Sequence, residues 1–349
     1  MLFAALRDMQ WRKRRLIIAV VSTALIFGMT LVMTGLANGF GVEARNTVDS
    51  LGVDTFVVKD GAAGPFLGST PFPDVDLAKI AASPGVVAAA PLGCVGTIMK
   101  DGSSTRNVTA FGAPERGPGM PHVSEGRVPS TPDEAAASST LGRHIGDTLQ
   151  IGAHTLRVVG IVPNSTALAK IPNIFLTTQG LQQVAYNGQP MVTSIGVVGK
   201  PRQLPGGYQT YDRAGAVKDL VRPLKVAVTS ITIVAVLLWV VAALIVGSVV
   251  YLSALERVRD FAVFKAIGTR SRSIMAGLAL QALIVALLAA LLGILLAQLL
   301  GPLFPMIVAI PGGAYVLLPA VAVAIGLLAS LAGLRRVVAV DPALAFGGP

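Results

Sequence analysis

Four apolar runs without a charged residue punctuate the chain: Leu16–Ala37, Val226–Leu252, Ile274–Leu300 and Ala314–Leu334. The first, at 22 residues, makes about 33 Å of helix, enough to cross a hydrocarbon core of ~30 Å. A signal peptide would carry an apolar region of only about 7–15 residues. Gly35-Leu36-Ala37-Asn38 is also a poor cleavage site. This first run is therefore read as a retained span. Gln281 and Gln298 are the only strongly polar side chains in the third run. In the fourth run Ala322, Gly326 and Ser330 recur every four residues, which places small residues on one helix face where another span can pack closely. Gly28, Gly35, Gly39 and Gly41 give the top of the first span backbone freedom that suits a hinge, although glycine is also simply common in membrane helices.

Residues 38–225 differ in character, with charges of both signs, most of the prolines and all three histidines. Alternation and β-branched content predict strands at Thr55–Lys59, Gly93–Met99, Asn107–Phe111, Thr148–Ile151, Leu156–Val162 and Ser194–Val198. Asp101-Gly102 and Asn187-Gly188 are turn signals. Helices are expected at Asp74–Ala82, which starts on acidic residues and stops before Ser83-Pro84-Gly85, and at Thr178–Tyr186. Pro114–Pro132, rich in Gly and Pro, is expected to be an exposed loop. This region is long enough to hold a core of its own.

Composition agrees with a membrane protein: 53% of residues are hydrophobic, 13% are charged, and the mean hydropathy is +0.70. Globular chains carry about 25% charged residues. The net charge of +10 is informative mainly through its location. Segments 1–15, 253–273 and 335–349 hold 12 Lys/Arg against 4 Asp/Glu, while 38–225 holds 16 against 14. Basic excess beside the spans follows the positive-inside pattern. The dispersed basic face of a nucleic-acid binder is absent, so no nucleic-acid partner is expected. The expected order is a cytoplasmic segment 1–15, span 16–37, an extracytoplasmic domain 38–225 and span 226–252. A cytoplasmic segment 253–273, span 274–300, a short outer loop 301–313, span 314–334 and a cytoplasmic tail 335–349 follow. The fold class is an integral membrane α-helical protein of four transmembrane helices, with a mixed α/β extracytoplasmic domain inserted between spans 1 and 2. It belongs in the cell membrane with both termini inside, in contact with membrane lipids.

Catalytic signatures are missing. The sequence has no P-loop, G-x-S-x-G, H-E-x-x-H or C-x-x-C. Cys94 is the single cysteine, read as a small buried hydrophobe. His122, His144 and His154 are not at metal-ligand spacing. No catalytic, cofactor or metal site is expected on this chain. The spans lack the ionisable groups that an ion-coupled transporter usually needs at membrane depth.

The one charged island in the last third is Ser253–Ser273. Val258, Phe261, Phe264 and Ile267 recur at spacing three and form an apolar stripe on a short helix. Glu256 with Arg259, and Arg257 with Asp260, are i, i+3 pairs. Gly268 suits the helix end, and Arg270 and Arg272 follow at headgroup level. These residues alone fit either an amphipathic helix resting on the membrane surface or a docking helix for a cytoplasmic partner.

The segment LERVRDFAVFKAIGTRSRSI resembles the cytoplasmic segment of MacB/FtsX/LolC-LolE-type ABC transporter permeases, roughly E-R-x-R-E-[IF]-A-[IV]-x-K-A-[LI]-G-A. Glu256, Arg257, Arg259, Phe261, Ala262, Lys265, Ala266 and Gly268 match it, and Asp260 stands where Glu is commoner. Arg335, Arg336 and Asp341–Ala345 are similar to the family's closing motif, with a departure in spacing. Val75–Leu92 and Gly126–Val162 are similar to two regions of its periplasmic core domain. The resemblance implies a permease subunit that is not itself an enzyme, with ATP and Mg on a separate cytoplasmic ATPase subunit. It implies a second permease copy or paralogue, making a homo- or heterodimer. It assigns ATPase docking to Glu256, Arg257, Val258, Arg259, Asp260, Phe261, Phe264, Lys265, Ile267 and Gly268. The motion would serve export or extraction of a lipid, peptide, lipoprotein or drug. Alternatives are a scaffold that regulates a cell-envelope hydrolase, a small-solute permease such as one for amino acids, and a four-span sensor; an extracytoplasmic adaptor or hydrolase is a further partner that the resemblance allows.

Overall fold

The computed structural model describes residues 13–255 and 271–338. Residues 39–226 form one compact unit, and the chain before and after them forms another.

The second of these units is helical. Its described elements are α1 (Lys13–Ser50, whose later residues belong to the other unit), α5 (Lys225–Leu255), α6 (Ser271–Leu300) and α7 (Gly312–Val338). Three helical stretches are long and apolar enough to cross a membrane: Ile17–Ser50, Arg213–Ser248 and Ala282–Leu303. The fourth apolar stretch, Gly312–Leu328, is shorter. The core is built largely from small side chains, with Ala286, Ala289, Ala290 and Ala297 of α6 buried against Phe27, Leu31 and Val32 of α1 and Leu318 and Ala322 of α7. Bilayer lipid is as apolar as these side chains, so close backbone approach rather than hydrophobic burial holds such helices together.

The helix that carries the first span runs on to Ser50, beyond the apolar run that ends at Ala37. The four glycines at the top of this span lie within one helix, and two of them sit in close packing. A Cβ on Gly35 would lie 2.7 Å from both Val308 Cγ1 and Ile310 Cγ1, and one on Gly28 would lie 3.1 Å from Leu296 Cβ.

The α/β unit is organised by β3 (Val86–Asp101), a strand of 16 residues that serves two sheets. Its first half pairs with β11 (Ser194–Gly199), which continues to β1 (Thr55–Lys59) and the edge strand β12 (Tyr208–Asp212). Its second half forms a hairpin with β4 (Ser104–Ala113) across the Asp101-Gly102 turn, where Gly102 takes φ +61°. From β4 the order runs through β9 (Asn173–Thr177), β6 (Glu134–Ser138) and β8 (His154–Val162) to a short β5 (Glu125–Gly126). Strand β7 (Thr148–Ile151) pairs with both β8 and β3, so six strands close on themselves. Inside that ring sit Met99, Leu149, Leu156, Ile174 and Leu176. A two-stranded piece joins β2 (Phe72–Pro73) to β10 (Met191–Val192). Helix α2 (Leu77–Ala81) follows a 3-10 turn at Asp74–Asp76, so the single helix expected over Asp74–Ala82 is divided. Helix α3 (Thr178–Tyr186) is capped by Thr177, whose Oγ1 accepts from Gly180 N–H at 3.0 Å, and ends on Asn187 at φ +51°. Helix α4 (Arg213–Val221) leads through a 3-10 turn into α5.

The loop 114–132 is not simply exposed. Gly119 N–H donates to Leu51 O at 2.7 Å, Met120 and Val123 pack on the core, and residues 125–126 pair with β8. A loop that covers the end of a core must bury some backbone, and this one satisfies it through those bonds.

Candidate functional site

The chain enters the α/β unit on α1 and leaves it on α4, so the residues that fix these two helices form the site of interest. Ala44 and Val48, four residues apart on α1, and Leu51 just past its end are all buried. Ala216 and Leu220 on α4 are buried as well. All five join one core cluster with Val53, Phe56, Leu92, Cys94, Phe111 and Phe175.

Polar contacts sharpen that placement. Glu43, 2% exposed, accepts from Lys170 N–H at 2.9 Å. Thr47 Oγ1 donates to Thr166 O at 2.7 Å. Both partners lie in the loop between β8 and β9, where Asn164, Ala169 and Lys170 take positive φ of 46°, 49° and 58°. Left-handed backbone is unfavourable for residues with a Cβ, so the contacts from α1 help hold a strained loop in place.

Helix α4 is anchored at both ends. Asp212 caps its start, accepting from Gly215 N–H at 2.7 Å. Arg213 Nε donates to Val53 O and its Nη2 to Asp54 Oδ1, both at 2.8 Å, and Asp49 lies 3.7 Å from Nη1. One guanidinium thus ties the start of α4 to the end of α1 and to the segment just after it. Asp219 is 1% exposed. It accepts from Phe66 N–H at 2.7 Å and Gly68 N–H at 2.9 Å, with Arg222 at 3.4 Å. Arg222 also donates to Ala63 O. A Cβ on Gly64 would fall on the Asp219 carboxylate, and one on Gly68 would meet Arg222 Nη1 and Asp219 Oδ1, so glycine permits this approach. Tyr211 Oη and Gln209 Nε2 donate to Ala62 O at 2.9 and 2.7 Å. The loop between β1 and β2 is therefore strapped to the base of α4. Its Phe66 sits edge-on to Phe56 (ring centroids 5.2 Å apart) and Phe111 (5.9 Å).

None of this is an acid–base constellation. Among the described residues no group of three or more His, Cys, Asp or Glu could hold a metal ion. Cys94 is buried, and burial pushes its thiol up, with Asp219 adding to the effect. Away from the site, the Arg127 guanidinium holds the Glu134 carboxyl down at about 2.

The residues assigned to docking from the sequence, Glu256, Arg257, Val258, Arg259, Asp260, Phe261, Phe264, Lys265, Ile267 and Gly268, lie outside the described residues. Of the small-residue face, Ala322 is 1% exposed, and a Cβ on Gly326 would lie 3.3 Å from Ala282 Cβ on α6. Ser330 falls within α7, and its side chain lies outside the described residues. The sequence reading missed a closer crossing. A Cβ on Gly293 of α6 would lie 2.7 Å from Phe27 Cβ and 3.1 Å from Ala24 O of α1. The reading also missed Arg213, Asp219 and Arg222. The available signal was an Asp and an Arg at i, i+3 just before the second apolar run.

Comparisons with known proteins bear on both units. A family model described as MacB-like periplasmic core domain matches residues 16–207, and one described as FtsX-like permease C-terminal matches residues 232–342. The chain is similar to the uncharacterized ABC transporter permease Rv0072 of Mycobacterium tuberculosis (strain H37Rv), 79% identical with 100% of both chains covered. It is also similar to the uncharacterized ABC transporter permease Mb2592 of Mycobacterium bovis, 74% identical over the same extent. Among solved structures, the periplasmic region of MacB from Actinobacillus actinomycetemcomitans aligns at a TM-score of 0.34 and 11% identity, covering 50% of this chain and 95% of that one.

Proposed function

Since the chain belongs to the FtsX-like ABC transporter permeases that carry a MacB-like periplasmic core domain, we propose that it takes motion from a separate cytoplasmic ATPase subunit and delivers it to its α/β domain outside the membrane. In this reading ATP and Mg are bound by the partner, a second permease copy or paralogue completes the complex, and four spans cross the membrane with both termini inside. The work is export or extraction of a lipid, peptide, lipoprotein or drug.

The observation that carries the reading is α1. It is a single helix from Lys13 to Ser50, and its last turns are core residues of the α/β domain. A stiff element whose end is buried in a domain core moves that core when it moves. Arg213 and Asp219 secure the returning helix in the same core region. Segment 253–273 is the docking element, with Val258, Phe261, Phe264 and Ile267 seated on the ATPase and Glu256, Arg257, Arg259, Asp260 and Lys265 pairing around them.

The test is co-purification with a co-expressed ABC-type ATPase in bilayer discs. Phe264→Asp and Arg257→Glu should each abolish co-purification or the ATPase stimulation by the permease. Retention of both by both variants would refute the docking assignment.

A further inference from the structure

We propose that residues 303–308, between α6 and α7, form a lip that contacts the acyl chains and headgroups of the outer lipid leaflet and is latched to the first span by Gly35 and Asn38. The lip stands or falls independently of the ATPase; the side on which it lies, and its movement with the first span, rest on the permease reading above.

The first support is depth. Twenty residues separate Arg15 from Gly35, about 30 Å of helix, and 23 separate Arg335 from Gly312, about 34 Å. The hydrocarbon core is ~30 Å thick, so two helices independently bring the latch and the end of the loop to its far boundary. Arg272 to Leu300 makes about 42 Å, which carries the start of the loop to headgroup level. Residues 301–309 therefore descend from the headgroups to the edge of the acyl chains.

The second support is chemistry. No charged residue occurs between Arg272 and Arg335, and the loop reads GPLFPMIVAIPGG. Leu303 is 76% exposed, and Phe304, Met306 and Ile307 are half-buried. Irregular backbone is tolerated at this depth only where its polar groups are satisfied within the protein. At the deepest point they are: Ala309 N–H donates to Gly35 O at 3.0 Å, and Asn38 Nδ2 donates to Ala309 O at 2.9 Å. Asn38 is a polar side chain at the end of an otherwise apolar span, and it is spent on this carbonyl. Val308 and Ile310 occupy the space that a side chain at Gly35 would need. An apolar lip whose backbone is fastened at Ala309 suits acyl chains and disfavours water.

The experiment uses full-length chain in vesicles of phosphatidylethanolamine and phosphatidylglycerol. Cys94→Ser supplies the background, with single nitroxides introduced through Leu303→Cys and Ile307→Cys. Val240→Cys within α5 and Val75→Cys on the α/β domain serve as lipid and water references. Collision with oxygen should exceed collision with a water-soluble nickel chelate at both sites, and the ratio should rise from 303 to 307. Nickel collision equal to that at residue 75 would place the loop in water and overturn the proposal. Low collision with both reagents would mean protein cover, as from a second copy, and would also overturn it. Adding Asn38→Ala should increase nitroxide mobility at 307, and unchanged mobility would refute the latch. A failed ATPase docking test would leave these readings unaffected.

Discussion

Replacing Asp219 with alanine tests whether the loop between β1 and β2 is fastened to the base of α4 by this one carboxylate. The substitution removes the acceptor for Phe66 N–H and Gly68 N–H, and the ion-pair partner of Arg222. A buried donor left without a partner costs about 1–3 kcal/mol. Water can reach Gly68 more easily than Phe66, so the two together should cost about 2–5 kcal/mol. For a domain of this size each kcal/mol lowers Tm by roughly 2–4 °C, a total of about 4–20 °C. Cys94 provides the readout. It is the only cysteine, it is buried, and it shares a core cluster with Phe66. A thiol-reactive dye therefore reports the opening of that core during a thermal ramp. Asp219→Asn retains one acceptor oxygen and should lose about half as much, while Arg222→Ala, at a half-exposed position, should lose least. A midpoint for Asp219→Ala within about 1 °C of the parent would refute the reasoning, because it would mean that both amides find other partners.

Gly293→Leu should separate α1 from α6, since even a Cβ would lie 2.7 Å from Phe27 Cβ. Overpacking of about 1–3 kcal/mol should appear as a lower midpoint and broadened size-exclusion profile in detergent, whereas Gly277→Leu, with nothing within 4 Å, should be neutral. Ala169→Gly removes a Cβ from a residue at φ +49° and should raise stability by about 1 kcal/mol in urea unfolding. The lowered folded-state pKa of Glu134 contributes stability that is present above its ordinary value of 4.5 and is lost as pH falls from there toward about 2. Arg127→Ala should flatten acid unfolding in that window.

What the sequence made legible depended on how local each signal was. Thr55–Lys59 and Thr148–Ile151 occupy the residues their patterning predicts. Thr178–Tyr186 does so because Thr177 and Asn187 mark its ends chemically. Strand β6, Glu134-Ala-Ala-Ala-Ser138, carries residues of low strand propensity. It is a strand because β8 and β9 pair on either side of it and its three alanines are buried without exposure. The extension of α1 was hidden by polar residues between 38 and 50, yet Phe40, Ala44, Thr47, Val48 and Leu51 continue a helical spacing that could have been followed. Asp219 could not have been paired with Phe66 from sequence, because 153 residues separate them.

The glycines of the first span carry the mechanical argument. A hinge at Gly28 or Gly35 would let the membrane portion of α1 bend without moving the turns beyond it. Instead the helix passes through both without a break, and at each the space left by the missing side chain is filled: by Leu296 at Gly28, and by Val308 and Ile310 at Gly35. Filling that space opposes local bending, since a kink would have to displace packed neighbours. The same economy appears at the far end of the helix, where Glu43 and Thr47 grip the loop between β8 and β9 and Arg213 of the return helix grips Val53 and Asp54. Small residues along α1 thus exchange freedom for bracing, and polar residues past the span exchange solvation for fixed partners. On the proposed reading, Gly293→Leu, which wedges α1 away from α6, and Asp219→Ala, which frees the loop between β1 and β2, should each weaken transmission of motion to the α/β domain while co-purification with the ATPase stays unchanged.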